Sequence, residues 1–242
     1  MKIIFLGTNG WYTSPTGNTA CILIDSKDHY VIFDAGNGFY KLDKYITEEK
    51  PVSIFISHFH IDHVSGLHTL NKFNFSQGLD IYVGEGRTRD FETLVNPPFT
   101  VGKGADVRLH ELSSQETPFP AEAIEQHHAF RDHGFRITLE EKIIAYSGDC
   151  GISPASLPLA KDADVLIHEC SFKAGHPPNT WGHVGPIEPA QLAKEAGAKK
   201  LILTHFDGSL YTSLDDRKES EKEAQRIFPN TSAAYDDLII TL

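Results

Sequence analysis

Cysteine, methionine and tryptophan are scarce in this chain of 242 residues, which holds three, one and two of them. Cys21, Cys150 and Cys170 are odd in number and far apart in sequence. That pattern excludes a disulfide framework and a CxxC metal knuckle, and a reducing cytoplasm is the expected setting. No apolar run approaches the ~18 residues that a membrane span requires. The opening MKIIFLGTNG is too short in apolar residues for a secretory signal. Basic residues are also few: 22 Lys and Arg stand against 33 Asp and Glu, a formal net charge of −11. An acidic chain of this kind is not a general binder of nucleic-acid backbone, although a local basic pocket stays compatible with it. No linker, charge block or short-period repeat divides the sequence, so 1–242 reads as one domain. With 40% apolar and 23% charged residues it is neither disordered nor collagen-like.

Histidine, by contrast, is plentiful, with thirteen copies. Short apolar, β-branched runs predict strands at 2–6, 19–25, 29–34, 53–57, 79–83, 107–112, 123–127, 135–139, 142–147, 165–168, 200–204 and 238–242. Helical spacing predicts helices at 39–48, 64–70, 187–196 and 214–227, with Gly197 at a C-cap position. A Pro/Gly loop fills 96–104. Strand runs followed by helices in both halves predict one layered α/β domain built from two similar halves.

The decisive segment is Ile54-Phe55-Ile56-Ser57-His58-Phe59-His60-Ile61-Asp62-His63, where an apolar strand ends in three imidazoles and a carboxylate. In extended chain His58 and His60 share one side, and as the chain turns Asp62 and His63 can face the same cavity. Two ligand pairs on one loop can serve two adjacent ions. Imidazole and carboxylate without thiolate suit Zn²⁺, and also Mn²⁺ or Fe. Further candidates close other apolar strands: His127-His128, Asp149 after Ser147-Gly148, and His205 after Leu203-Thr204. Strand ends are where layered α/β proteins build their sites.

With these motifs in place the chain resembles the metallo-β-lactamase superfamily, and within it the ribonuclease Z-like branch. Phe5-Leu6-Gly7-Thr8, Phe33-Asp34-Ala35-Gly36, His168-Glu169-Cys170-Ser171 and Gly182-His183 match that branch in order, as does the closing Ala234-Tyr235-Asp236. The resemblance implies a four-layer αββα sandwich and two divalent metal ions, zinc first among them. It implies His58, His60 and His128 on the first ion, Asp62, His63 and His205 on the second, and Asp149 between them. His128 is preferred to His127 because the family places its ligand six residues before a Gly-aromatic-Arg segment, here Gly134-Phe135-Arg136. His127 is then a packing or supporting group on the other strand face. The resemblance also implies a His183–Glu169 pair that protonates the leaving alkoxide of a phosphodiester or stabilises its phosphoryl oxygens, and a homodimer.

The expected activity is cleavage of a phosphodiester by hydroxide from a water shared between the ions, whose pKa paired cations about 3.5–4 Å apart lower from 15.7 toward about 7. Asp62 can accept the proton of that water. Asp34 is expected to orient a metal-binding histidine. His29, His68 and His110 are expected to be structural or solvent-facing, and Cys150 a small packing residue. His168 is expected to support the site, and His133 and His176 lie in loops near it. Arg87, Arg89, Lys103 and Arg108 are scattered charges able to steer an anion.

Two departures bear on substrate. Bacterial ribonuclease Z, in the family this chain resembles, inserts an RNA-gripping arm between the third histidine motif and the bridging aspartate, but His128 and Asp149 are only 21 positions apart. The Arg-Asn of the family's N-terminal motif is here Gly17-Asn18. Both favour a small phosphodiester or a short oligonucleotide over tRNA. The alternatives are tRNA 3′ processing, hydrolysis of a lactone or thioester, and a non-catalytic metal-binding protein.

Overall fold

Several predicted strands carry apolar residues on both faces, and such a strand is stable only where both of its faces are covered. Tyr30–Phe33, Val52–Phe55, Val165–Glu169 and Leu201–Thr204 are buried throughout. In the computed structural model, which describes residues 1–242 other than 105, 113–116 and 178–179, they lie inside two stacked sheets. The seven-stranded sheet runs Leu238–Thr241, Lys2–Gly7, Cys21–Asp25, Tyr30–Phe33, Val52–Phe55, Leu79–Val83 and Val107–Glu111. The six-stranded sheet runs Thr231–Ala233, Leu201–Thr204, Val165–Glu169, Lys142–Tyr146, Asp132–Leu139 and Ala121–Gln126.

Each sheet contains three successive strands in antiparallel meander, 2–33 in the first and 121–146 in the second, continued by parallel strands. That repeat of topology is the pair of similar halves expected from the sequence. Side chains alternate as strand geometry requires. Ile3, Phe5, Phe33 and Phe55 join Phe135, Tyr146, Ile167 and Ile202 in the core between the sheets. Ile4, Leu6, Ile32 and Ile54 instead face an outer core with Phe39, Leu67 and Phe91. Leu166, Leu201 and Leu203 face a third core with Leu159, Leu192 and Ala224. Three cores separate four layers, which is the αββα sandwich.

Some elements differ from expectation. The predicted helices at 39–48 and 64–70 are 3₁₀ turns at Asn37–Lys44 and Ser65–Lys72, the latter preceded by one α-turn at Ile61–Val64. The helices Thr88–Val95 and Ser156–Ala160 and the strand Thr231–Ala233 carry too few apolar residues to show a period. Glu140-Glu141 makes the tight turn between Asp132–Leu139 and Lys142–Tyr146, with φ of 49° and 60°. The stretch between His128 and Asp149 is thus spent on the hairpin and its flanks, leaving no arm.

Candidate metal centre

Three proposed ligands and the supporting Asp34 leave the sheets at the C-terminal ends of strands with a parallel neighbour, the usual place for a site in such sheets. Asp34 follows Tyr30–Phe33, His58 follows Val52–Phe55, Asp149 follows Lys142–Tyr146, and His205 follows Leu201–Thr204. Asp34 and His205 turn there with φ of 58° and 56°, in the left-handed region. Gly148 has φ 61°, and a Cβ on it would lie 2.2 Å from Asp132 Oδ1, so only glycine fits this turn before Asp149. Gly10 is required for a second reason: its Cβ would lie 2.5 Å from His205 Cε1.

Three residue groups gather at this rim. His58, His60, His128 and Asp149 each offer one ligand atom, all within 4.8 Å of one another. Asp62, His63 and His205 do the same, as do Asp149, His183 and His205. Asp149 lies between the groups: Oδ2 is 3.8 Å from His58 Nε2 and 3.3 Å from His63 Nε2, and Oδ1 is 3.2 Å from His205 Nε2. All seven ligands expected from the sequence therefore converge.

The donors fit a cation better than they fit one another. His58 Nε2, both ring nitrogens of His128 and Asp149 Oδ1 are buried without a hydrogen-bond partner. Buried polar atoms in folded proteins are rarely left so, and several at one point suggest an ion. Burial, reinforced by neighbouring imidazoles, pushes His58, His60 and His128 down to about 4, so they present neutral rings at neutral pH. That is the ligating form. Burial opposes the charge on Asp149 and Asp62, but His63 and His205 outweigh it and hold both carboxyls well below their usual range.

The far side of each ring is fixed. His58 Nδ1 is 2.6 Å from Asp132 Oδ2, and His63 Nδ1 is 2.8 Å from Asp34 Oδ2. Asp34 is held in turn by the Ser57 backbone N–H (2.8 Å), the Ser57 hydroxyl (2.9 Å) and the Tyr146 hydroxyl (2.6 Å). The Ser171 hydroxyl lies 3.0 Å from His205 Nδ1. Such partners set the tautomer and aim Nε2 inward. Asp34 thus takes the place expected for it. Asp132, Tyr146 and Ser171 were not legible as parts of the site. For Asp132 the one available signal was an acid at the start of the strand after His128.

His183 Nδ1 is 2.8 Å from Glu169 Oε1, and Glu169 also accepts the N–H groups of Cys150 (3.1 Å) and Ser171 (2.9 Å). Burial lowers the His183 pKa, but Glu169 outweighs it and lifts His183 to about 9. His183 reaches the same cavity of about 710 Å³ as Asp62, Asp149 and His205. The sequence from Asn179 to His183 reads as a loop, and of it Asn179 lies outside the described residues.

His127 departs from its expected place. It is exposed, beside Gly151, whose N–H bonds to the His127 carbonyl at 2.9 Å. The chain turns out of the sheet after Gln126, so strand alternation no longer decides where these two histidines point. His168 is buried with Nδ1 2.9 Å from the Glu169 carbonyl and Nε2 3.7 Å from Cys150 Sγ, so it packs behind Glu169. Burial raises the Cys150 thiol far above its usual value, which suits a packing residue. His68 is exposed, bonded to the Ser65 carbonyl, and His29 packs edge-on against Phe119. His110 pairs with Asp80, which Arg108 also binds. Arg87 pairs with Asp90 and Lys103 with Glu92. His176 stacks on Phe172. His133 lines a small separate cavity behind His58 and His60.

Residues 29–206 match the beta-lactamase superfamily domain. The chain is 28% identical to the probable metallo-hydrolase YhfI of Bacillus subtilis, over 85% of this chain and 87% of that one. It is 27% identical to ribonuclease Z of Bacillus velezensis, over 100% and 99%. At least 68 positions of that 310-residue alignment fall opposite gaps in the 242 residues here. Among solved structures, human tRNase Z short form superposes with a TM-score of 0.75 at 26% identity, covering 100% of this chain and 99% of that one. The fold of Bacillus subtilis YhfI superposes with a TM-score of 0.84 at 24% identity, covering 99% of both chains. The chain belongs to the metallo-β-lactamase superfamily, in its ribonuclease Z-like branch, and is a metal-dependent hydrolase.

Proposed function

We propose that this single hydrolase domain is a dinuclear phosphodiesterase of small, nucleotide-like substrates, with zinc the ion its donor set suits best. One observation carries the reading: the charged His183–Glu169 pair opens into the same cavity as both ligand groups. Two divalent cations bound there would supply charge for the phosphoryl oxygens and a nucleophilic water at neutral pH.

The protein's own groups supply the rest. His183, protonated at neutral pH through Glu169, donates to the leaving oxygen or to a non-bridging oxygen. Asp62, ionised at the cavity wall, accepts the proton of the attacking water. Its Oδ2 is fixed by the Trp11 N–H at 2.7 Å. No lysine or arginine is among the described residues lining the cavity, and the hairpin replaces an RNA-gripping arm. Both features favour a compact diester over tRNA, whose backbone is bound through cations. Three buried free cysteines accord with a reducing cytoplasm.

The test is turnover of bis(p-nitrophenyl) phosphate by protein loaded with Zn²⁺ or Mn²⁺. On a dinucleotide, whose leaving alkoxide needs a proton, His183→Ala should lower turnover by about 10²–10⁴, while a thioester substrate, which needs no such acid, should be no worse cleaved by the variant. Absence of diester turnover with every divalent metal would overturn the reading. Efficient cleavage of precursor tRNA would replace it with the tRNA-processing one.

A further inference from the structure

The chain has only two tryptophans, and both line the metal-bearing cavity. Trp11 is 68% exposed and Trp181 57%, whereas rings such as Phe33, Phe39, Phe55 and Phe135 are buried in the cores between and outside the sheets. Large indoles left in water at a cavity mouth cost hydrophobic stabilisation unless something covers them. Ile61, 67% exposed, continues the apolar rim between the ligands His60 and Asp62.

Trp11 is also held in an uncommon backbone state. Its φ is 67°, left-handed, where a bulky residue is a genuine outlier. Such strain persists where the surroundings over-determine it and tends to mark functional sites. Here its N–H is tied to Asp62 Oδ2 at 2.7 Å, and the preceding Gly10 is pressed against the His205 ring. The main chain thereby fixes an indole beside the ligand cluster. Its ring meets Tyr12 edge-on at 5.3 Å, which steadies the ring plane. Trp181 stands two residues before His183, so the second indole is tied by sequence to the proton-donating group.

Among the described residues, the charged groups of the cavity wall are Asp62, Asp149, Asp207 and the histidines. Beyond the ligand cluster and His183, which serve one phosphate, the described residues of the cavity provide flat apolar surface and no further cation for a second. We propose that Trp11 and Trp181 are specificity-determining residues that stack on a nucleobase or similar flat ring of a substrate carrying one phosphodiester. This rests on the phosphodiesterase reading for its phosphate, and adds the part of the substrate that the metals do not touch.

The test uses the zinc-loaded, full-length protein and two probes, AMP and ribose 5-phosphate, which share a phosphate and a sugar and differ in the base. Calorimetry should find AMP bound about tenfold or more tighter. AMP should quench the intrinsic fluorescence, which comes from these two indoles, and ribose 5-phosphate should not. Trp11→Ala and Trp181→Ala should each bring the two affinities closer, and Trp11→Phe and Trp181→Phe should keep most of the difference. Zinc content and cooperative unfolding of each variant check that it is folded. Equal affinities for the two probes, no binding of AMP, or an undiminished ratio in both alanine variants would overturn the proposal. Preferential AMP binding without diester turnover would instead overturn the phosphodiesterase reading and leave the stacking intact.

Discussion

Two buried carboxylates, each behind one histidine of a different ligand group, allow the two proposed ion sites to be perturbed separately. Asp132 faces His58 Nδ1 at 2.6 Å, and Asp34 faces His63 Nδ1 at 2.8 Å. Burial and the nearby Asp149 raise the Asp132 carboxyl well above its usual range, and bound cations would favour its ionised form; Asp132→Asn keeps shape and removes any such charge. A hydrogen bond to a charged group contributes about 1.5–3 kcal/mol, which corresponds to about 10–100-fold in metal affinity, the range found for such supporting residues. His60 and His128 of the same group do not pair with Asp132, so the site should weaken without vanishing. The group Asp62, His63 and His205 keeps its Asp34 support, so its affinity should change by less than about threefold, the additivity expected of separate partners. Asp34→Asn should reverse the pattern. Competition of the apoprotein with a chromogenic zinc chelator resolves two dissociation constants and assigns the loss. Equal weakening of both sites by either variant, or no weakening by either, would refute the reasoning.

Two further predictions concern the acid and the glycine cradle. His183 is raised to about 9 through Glu169, so it holds its proton below that pH and loses it as pH rises. Glu169→Gln should therefore move the basic limb of the kcat/KM profile down by about 1–3 pH units, checked with a dinucleotide, whose leaving alkoxide needs a proton; an unmoved limb would remove His183 as the titrating acid. Gly10→Ala places a methyl 2.5 Å from the His205 ring, so zinc content should drop together with activity. Full metal occupancy in that variant, measured by mass spectrometry, would contradict the packing.

Much of the site was legible because its ligands cluster in sequence or close an apolar strand. His58, His60, Asp62 and His63 occupy six residues, and Asp149 and His205 each end a run of buried residues. His128 and not His127 reached the cluster, in agreement with the family spacing; position on the strand could not have decided it, because the strand stops at Gln126. The supporting groups were harder to see. Asp132, Tyr146 and Ser171 act through long-range contacts with His58, Asp34 and His205, and no local pattern announces such a pairing. A layered α/β domain of two similar halves was legible from the strand and helix pattern, and the four layers from the family resemblance. The 3₁₀ turns and the short helices at 88–95 and 156–160 were not, since so few residues carry little periodicity.

The pairing of two ions is tested most directly by anomalous diffraction from crystals of the zinc-loaded protein. Two peaks about 3.5–4 Å apart are expected, one beside His58, His60 and His128 and the other beside Asp62, His63 and His205, with an Asp149 oxygen about 2.0–2.2 Å from each. A single peak, or zinc held away from Asp149, would contradict the dinuclear site.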